Sequence, residues 1–174
     1  MQKNNRSRKL SDLKIIGIGS PFGADAIGWI LLDQLQQQLT QAGLLEQEKL
    51  SICFAKHDRP GPALLEYLQG SHCVILLDAL ASEQTAGSVI ELSLAQLLQQ
   101  EGLCSSHGFG IAETLALGNV LGILPAELIL LGIAMGAAGI QQNHNLIAKQ
   151  ALPQIEQRIV AMVSQKLKPD FPER

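Results

Sequence analysis

Short apolar runs alternate along this chain with longer stretches whose apolar residues recur every three or four positions. "LKIIGIG" (13–19) predicts a buried strand, and Asp25 to Gln41 predicts a helix through Ile27, Ile30, Leu31, Leu35 and Leu39. Gly43 is placed to end that helix. "LSICFA" (50–55) predicts a second strand and "GPALLEYLQG" (61–70) a short helix, with Pro62 suited to its first turn. "CVILLDAL" (73–80) is the strongest strand pattern, and "GSVIELS" (87–93), less apolar, predicts a fourth strand at a sheet edge. Gly108 to Leu121 reads as helix, "AELILLGIA" (126–134) as a fifth strand and Asn145 to Leu167 as the last helix. Glutamines cluster on two helices, at 36–38 and 99–100, as solvated faces.

Strand–helix alternation of this kind predicts an α/β fold. Its sheet has five strands, mostly parallel, with helices on both faces. The first, second, third and fifth strands read as fully buried. The fourth is expected to run antiparallel, because its connection from the third is short. One domain spans 13–168, after a flexible basic tail (1–12) and before a frayed end (169–174) that holds Pro169 and Pro172.

Composition narrows the function classes. The chain has 174 residues, 47% of them hydrophobic and 17% charged, which suits one globular domain rather than disorder. No apolar stretch reaches the roughly 18 residues of a membrane helix, and no signal-peptide core follows the basic start. A cytoplasmic protein without membrane contact is expected. The tail carries four of the 13 basic residues, so residues 10–174 hold 9 basic against 16 acidic residues. A body this acidic argues against nucleic-acid binding. Three widely spaced cysteines contain no CxxC pair, which argues against a structural zinc site. Cys53 and Cys73 sit in apolar runs and read as small core residues; Cys104 lies in a loop.

In an open parallel sheet, ligands bind beyond the carboxyl ends of the strands. Asp25 follows the first strand, His57 and Asp58 the second, Asp78 ends the third, and His107 precedes the 108–121 helix. If the first and third strands are parallel, Asp25 and Asp78 share one edge, and a histidine can join them. Two carboxylates and an imidazole suit a divalent ion such as zinc or nickel with open positions, or acid–base chemistry. Each residue also has a plainer reading. Asp25 could be a helix N-cap, Asp78 a solvated strand end, and His107 an ordinary loop residue. The same plain reading applies more strongly to His57, His72 and His144.

Two rival chemistries fit less well. Gly17-x-Gly19-x-x-x-Gly23 is one residue too long for a dinucleotide loop, and Asp58 lies 41 residues after Gly17 where about 20 are needed. Cys104 and His107 are three residues apart in one loop, a poor geometry for a nucleophile and its base.

Three blocks resemble a known family, the endopeptidases that mature nickel–iron hydrogenases. "IIGIGSPFGADAIG" is similar to the family's Gly-x-Gly-Asn strand block with its acidic pair and glycine, and "VILLDAL" to its apolar run ending Asp-Ala. "SSHGFGIAETLAL" resembles its His-x-x-Gly-aliphatic-x-acidic-x-Leu block, with Glu113 at the acidic place. The order and spacing match over nearly the whole chain. Ser20 stands where the family usually has asparagine, Ala24 where it has the first of two acids, and the loop is one residue shorter.

The resemblance implies Asp25, Asp78 and His107 as the metal-contacting trio, with Asp25 and Asp78 as the catalytic carboxylates of an aspartic-type endopeptidase. It implies that the nickel belongs to the substrate, the immature hydrogenase large subunit, and that the peptidase holds no tightly bound metal of its own. A monomer would sense loaded nickel and remove a C-terminal extension once. A substrate ion could polarise the scissile carbonyl or activate water, or a carboxylate could act as general base. A non-catalytic metal-sensing chaperone of the same partner is the alternative, followed by a nucleotide-binding α/β protein.

Overall fold

The computed structural model describes residues 11–45, 51–99, 110–136 and 143–166. Five strands form one sheet: β1 Ser11–Gly19, β2 Ile52–Asp58, β3 Ser71–Leu80, β4 Val89–Ser93 and β5 Glu127–Ala134. The helices are α1 Ile27–Gln41, α2 Leu64–Leu68, α3 Leu94–Gln99, α4 Ile111–Leu121 and α5 His144–Lys166. Single 3-10 turns at Gly23–Ala26 and Gly61–Ala63 lead into α1 and α2.

The strand order is β2-β1-β3-β5-β4. The pairs β1–β2, β1–β3 and β3–β5 are parallel, and β4 runs antiparallel to β5. The expected antiparallel edge strand is thus present, but it pairs with β5 rather than with the strand before it. Alternation along β3 divides the core into two layers. Cys73, Ile75 and Leu77 join α1 and α5 on one face, while Val74 and Leu76 join α2, α3 and α4 on the other.

Three sequence expectations need correction. β2 is not fully buried: it closes one edge of the sheet, and none of its seven residues is fully covered. Cys53 is exposed for the same reason, whereas Cys73 in the central strand is buried. Ser11 and Asp12 belong to β1 rather than to a tail. The amide of Ser11 donates to the Gly70 carbonyl (3.1 Å) and that of Asp12 to the Ser51 carbonyl (3.0 Å), so both neighbouring strands hold the start of β1. Residues 1–10, the end 169–174, Cys104 and His107 lie outside the described residues. Among the described residues no helix is long and apolar enough to cross a membrane.

Candidate active site

The parallel register brings the carboxyl ends of β1, β2 and β3 to one edge. Gly19, the last residue of β1, lies opposite Asp58, the last of β2, and Gly17 lies opposite Leu77, the residue before Asp78. β5 starts at the far edge, with five residues between it and the end of α4, so α4 begins at this same carboxyl edge.

Close backbone approach sets the position of Asp25. A Cβ at Gly17 would lie 2.6 Å from the carbonyl oxygen of Gly28, and one at Gly28 would lie 2.6 Å from that of Leu77. With no side chain at either place, the start of α1 rests directly on β1 and β3. Gly19 has φ +151°, and a Cβ there would collide with the Asp25 carbonyl oxygen. That oxygen instead accepts the Ser20 amide at 3.2 Å. The turn is fastened from within by Ser20, which is buried. Its hydroxyl donates to the Phe22 carbonyl (3.2 Å) and accepts the Phe22 amide (3.4 Å). These amides are turned inward, so they do not form the open cradle a phosphate needs. Asp25 is not the N-cap of α1, a place taken by Ala26.

Asp78 is half-buried near the end of β3, and its Oδ1 accepts the Ala79 amide at 2.8 Å. Loss of solvent pushes its carboxyl up from 3.8 to about 7; the Ala79 hydrogen bond opposes the rise, and the charge of Asp25 adds to it. The two aspartates predicted to share an edge therefore act electrostatically on each other. A carboxyl poised near neutrality can either donate or accept a proton at physiological pH.

Other sequence candidates fall elsewhere. His57 is inside β2, not after it, and its ring stacks on Tyr67 with centroids 3.5 Å apart. Burial, then the charge of Lys14, lowers its pKa and favours the neutral ring. His72 lies 3.7 Å from Glu127 at the amino end of the sheet. Among the described residues, His144 opens α5 with a buried Nε2 that has no partner, and no three His, Cys, Asp or Glu residues form a metal-holding group.

Two further residues stand at the edge. Arg59 adopts φ 40°, its amide donates to the Gly19 carbonyl (3.1 Å), and its Nε donates to Asp58 (2.9 Å). The Asp58 hydrogen bond and charge raise the guanidinium pKa, with Asp25 adding to the rise. Phe22, 79% exposed, projects from the turn that carries Asp25. Pro60 and Gly61 after Arg59 are turn-forming residues, but nothing local in the sequence places that turn against β1.

No protein-family model matches the sequence, and no curated protein matches it. Solved structures do. The hydrogenase maturating endopeptidase HybD from E. coli is 17% identical, with a TM-score of 0.62 over 86% of this chain and 93% of that one. An endopeptidase from Escherichia coli is 19% identical, with a TM-score of 0.60 over 86% and 93%. The [NiFe] hydrogenase maturation protease HycI from Thermococcus kodakarensis KOD1 is 16% identical, with a TM-score of 0.59 over 88% and 93%. The α/β architecture of this chain is thus the fold of the hydrogenase maturation peptidases.

Proposed function

We propose that this protein is an endopeptidase that removes the C-terminal extension of a nickel-loaded hydrogenase large-subunit precursor. The observation that carries the reading is the Asp25–Asp78 pair at the carboxyl edge of the sheet, with the Asp78 carboxyl raised to about 7. The fold shared with peptidases of that class supports it. In this reading the nickel is part of the substrate. Asp25 and Asp78 approach it as oxygen ligands, and His107 supplies the third donor from the segment before α4. Three protein donors leave positions for the partner's own ligands.

The carboxylates have a second use once the extension is in place. Asp78 in its ionised form takes a proton from the attacking water, and in its neutral form gives one to the leaving amine. Burial of Asp78, with the charge of Asp25 on the inward-fastened turn adding to it, keeps that proton exchange near neutral pH.

One observation favours the chaperone alternative. Ala24, where the resemblance calls for a first acid, packs against the apolar layer of α1 and α5. One experiment separates the readings: the mass of a nickel-loaded precursor before and after incubation with this protein. A single loss of the extension is expected, with the nickel-free precursor left intact. Asp25→Asn, Asp78→Asn and His107→Ala should each abolish the loss while the variants stay folded. Binding without cleavage by the unaltered protein would establish the chaperone, and normal processing by all three variants would refute the site.

A further inference from the structure

β2 ends beside the candidate site, and among the described residues no strand pairs with its outer edge. The amide of Arg59 donates to Gly19 and that of Leu13 to the Ser51 carbonyl (3.2 Å), so the backbone groups of residues 51, 53, 55, 57 and 59 face β1. By strand alternation, the amides and carbonyls of Ile52, Phe54, Lys56 and Asp58 point away from the sheet. Among the described residues no backbone group pairs with them; the Phe54 carbonyl has only a long 4.0 Å approach from the Cys53 thiol. Aromatic rings flank this edge on both faces. Tyr67, 36% exposed, stacks on His57 on the α2 side. Trp29 lies under the Lys56 ammonium, 5.8 Å away, on the α1 side.

We propose that the outer edge of β2 docks the precursor's extension as an added sixth strand; this rests on the peptidase reading above. The direction follows from the topology. The extension leaves the cleavage site at the carboxyl end of the sheet, and its free end must run toward the amino end. It therefore lies antiparallel to β2, the geometry with hydrogen bonds perpendicular to the strands. Alternate side chains of the extension then meet the Tyr67–His57 stack and Trp29, while its backbone supplies the hydrogen bonds. From the added strand to β3 is three strand spacings, ~14 Å, which about four extended residues cross. Residues beyond about the fourth after the scissile bond are the ones that pair.

Processing kinetics test this with unaltered protein and Lys56→Pro, on a nickel-loaded precursor with its full extension and on one cut to four residues past the scissile bond. Proline is tolerated on an edge strand where the lost N–H points outward. Lys56→Pro should raise KM for the full precursor at least tenfold and change kcat less than twofold. Truncation should raise KM by a similar factor, and the two losses should not multiply. An unchanged KM for Lys56→Pro, or losses that multiply, would overturn the docking.

Should Lys56→Pro fail to fold, amide hydrogen exchange on Asp78→Asn with the full precursor decides. Slowed exchange at Phe54, Lys56 and Asp58 is expected, and unchanged exchange refutes the proposal. If β2 instead pairs with β2 of a second copy, sedimentation will show a dimer that Lys56→Pro dissolves without affecting KM, which also overturns it. Absence of cleavage by the unaltered protein would reject the peptidase reading, while the exchange experiment still reports on the edge.

Discussion

Asp78→Asn should make the protein more stable at neutral to alkaline pH while removing the proposed processing activity. The folded chain holds the Asp78 proton more tightly than the unfolded chain, because burial and then the Asp25 charge, against the Ala79 hydrogen bond, move the carboxyl from 3.8 to about 7. Below about pH 4 both states are protonated and the residue contributes no pH dependence. Between about pH 4 and 7 the unfolded chain releases the proton and the folded chain keeps it, so stability falls as pH rises. Above about pH 7 the folded carboxyl is ionised and the penalty is complete. A rise of that size corresponds to ~4 kcal/mol. Solvent still reaches part of the residue, so about 2–3 kcal/mol is the expected gain for the asparagine at pH 8. Asparagine keeps an oxygen for the Ala79 amide, so that hydrogen bond need not be lost. Urea unfolding of both proteins at pH 5 and pH 8 measures the difference. A variant equally or less stable than the parent at pH 8, or a gain no larger there than at pH 5, would refute the buried-carboxyl argument.

Gly19→Val should lower stability by about 3 kcal/mol or more, because a β-branched residue would carry a disfavoured positive φ and strike the Asp25 carbonyl. Ser20→Asn should be much milder, and thermal melting of the pair would contradict the account if Gly19→Val matched the parent. The isolated protein should retain no tightly bound ion and take up a divalent ion only at high concentration. That uptake should weaken as pH falls below about 7, where Asp78 gains its proton. One stoichiometric zinc or nickel surviving dialysis, seen by elemental analysis, would instead mark a self-contained metallopeptidase.

The sequence by itself determined the elements and the chemistry on offer. Apolar runs at 13–19, 73–80 and 126–134 became β1, β3 and β5, because a strand covered on both faces needs apolar residues without interruption. The weaker run at 87–93 was legible as an edge strand, and its antiparallel direction followed from a short connection. Asp25 and Asp78 were visible as polar residues beside apolar strands, and the parallel sheet brought them to one edge. His107, which lies outside the described residues, stands on the sequence reading alone.

Strand order and close approach were decided only in three dimensions. Periodicity reports which faces of an element are apolar, but not which neighbour covers it, so β2 looked central and Cys53 looked buried. The contacts among Gly17, Gly28 and Leu77 join three separate parts of the chain, and no local pattern encodes that contact. The turn through Ser20 is likewise fixed by its closure onto Asp25. The rise of the Asp78 carboxyl depends on excluded water and on Asp25, 53 positions away in the chain. The sequence supplied the two carboxylates; packing the start of α1 onto β1 and β3 made their charges interact.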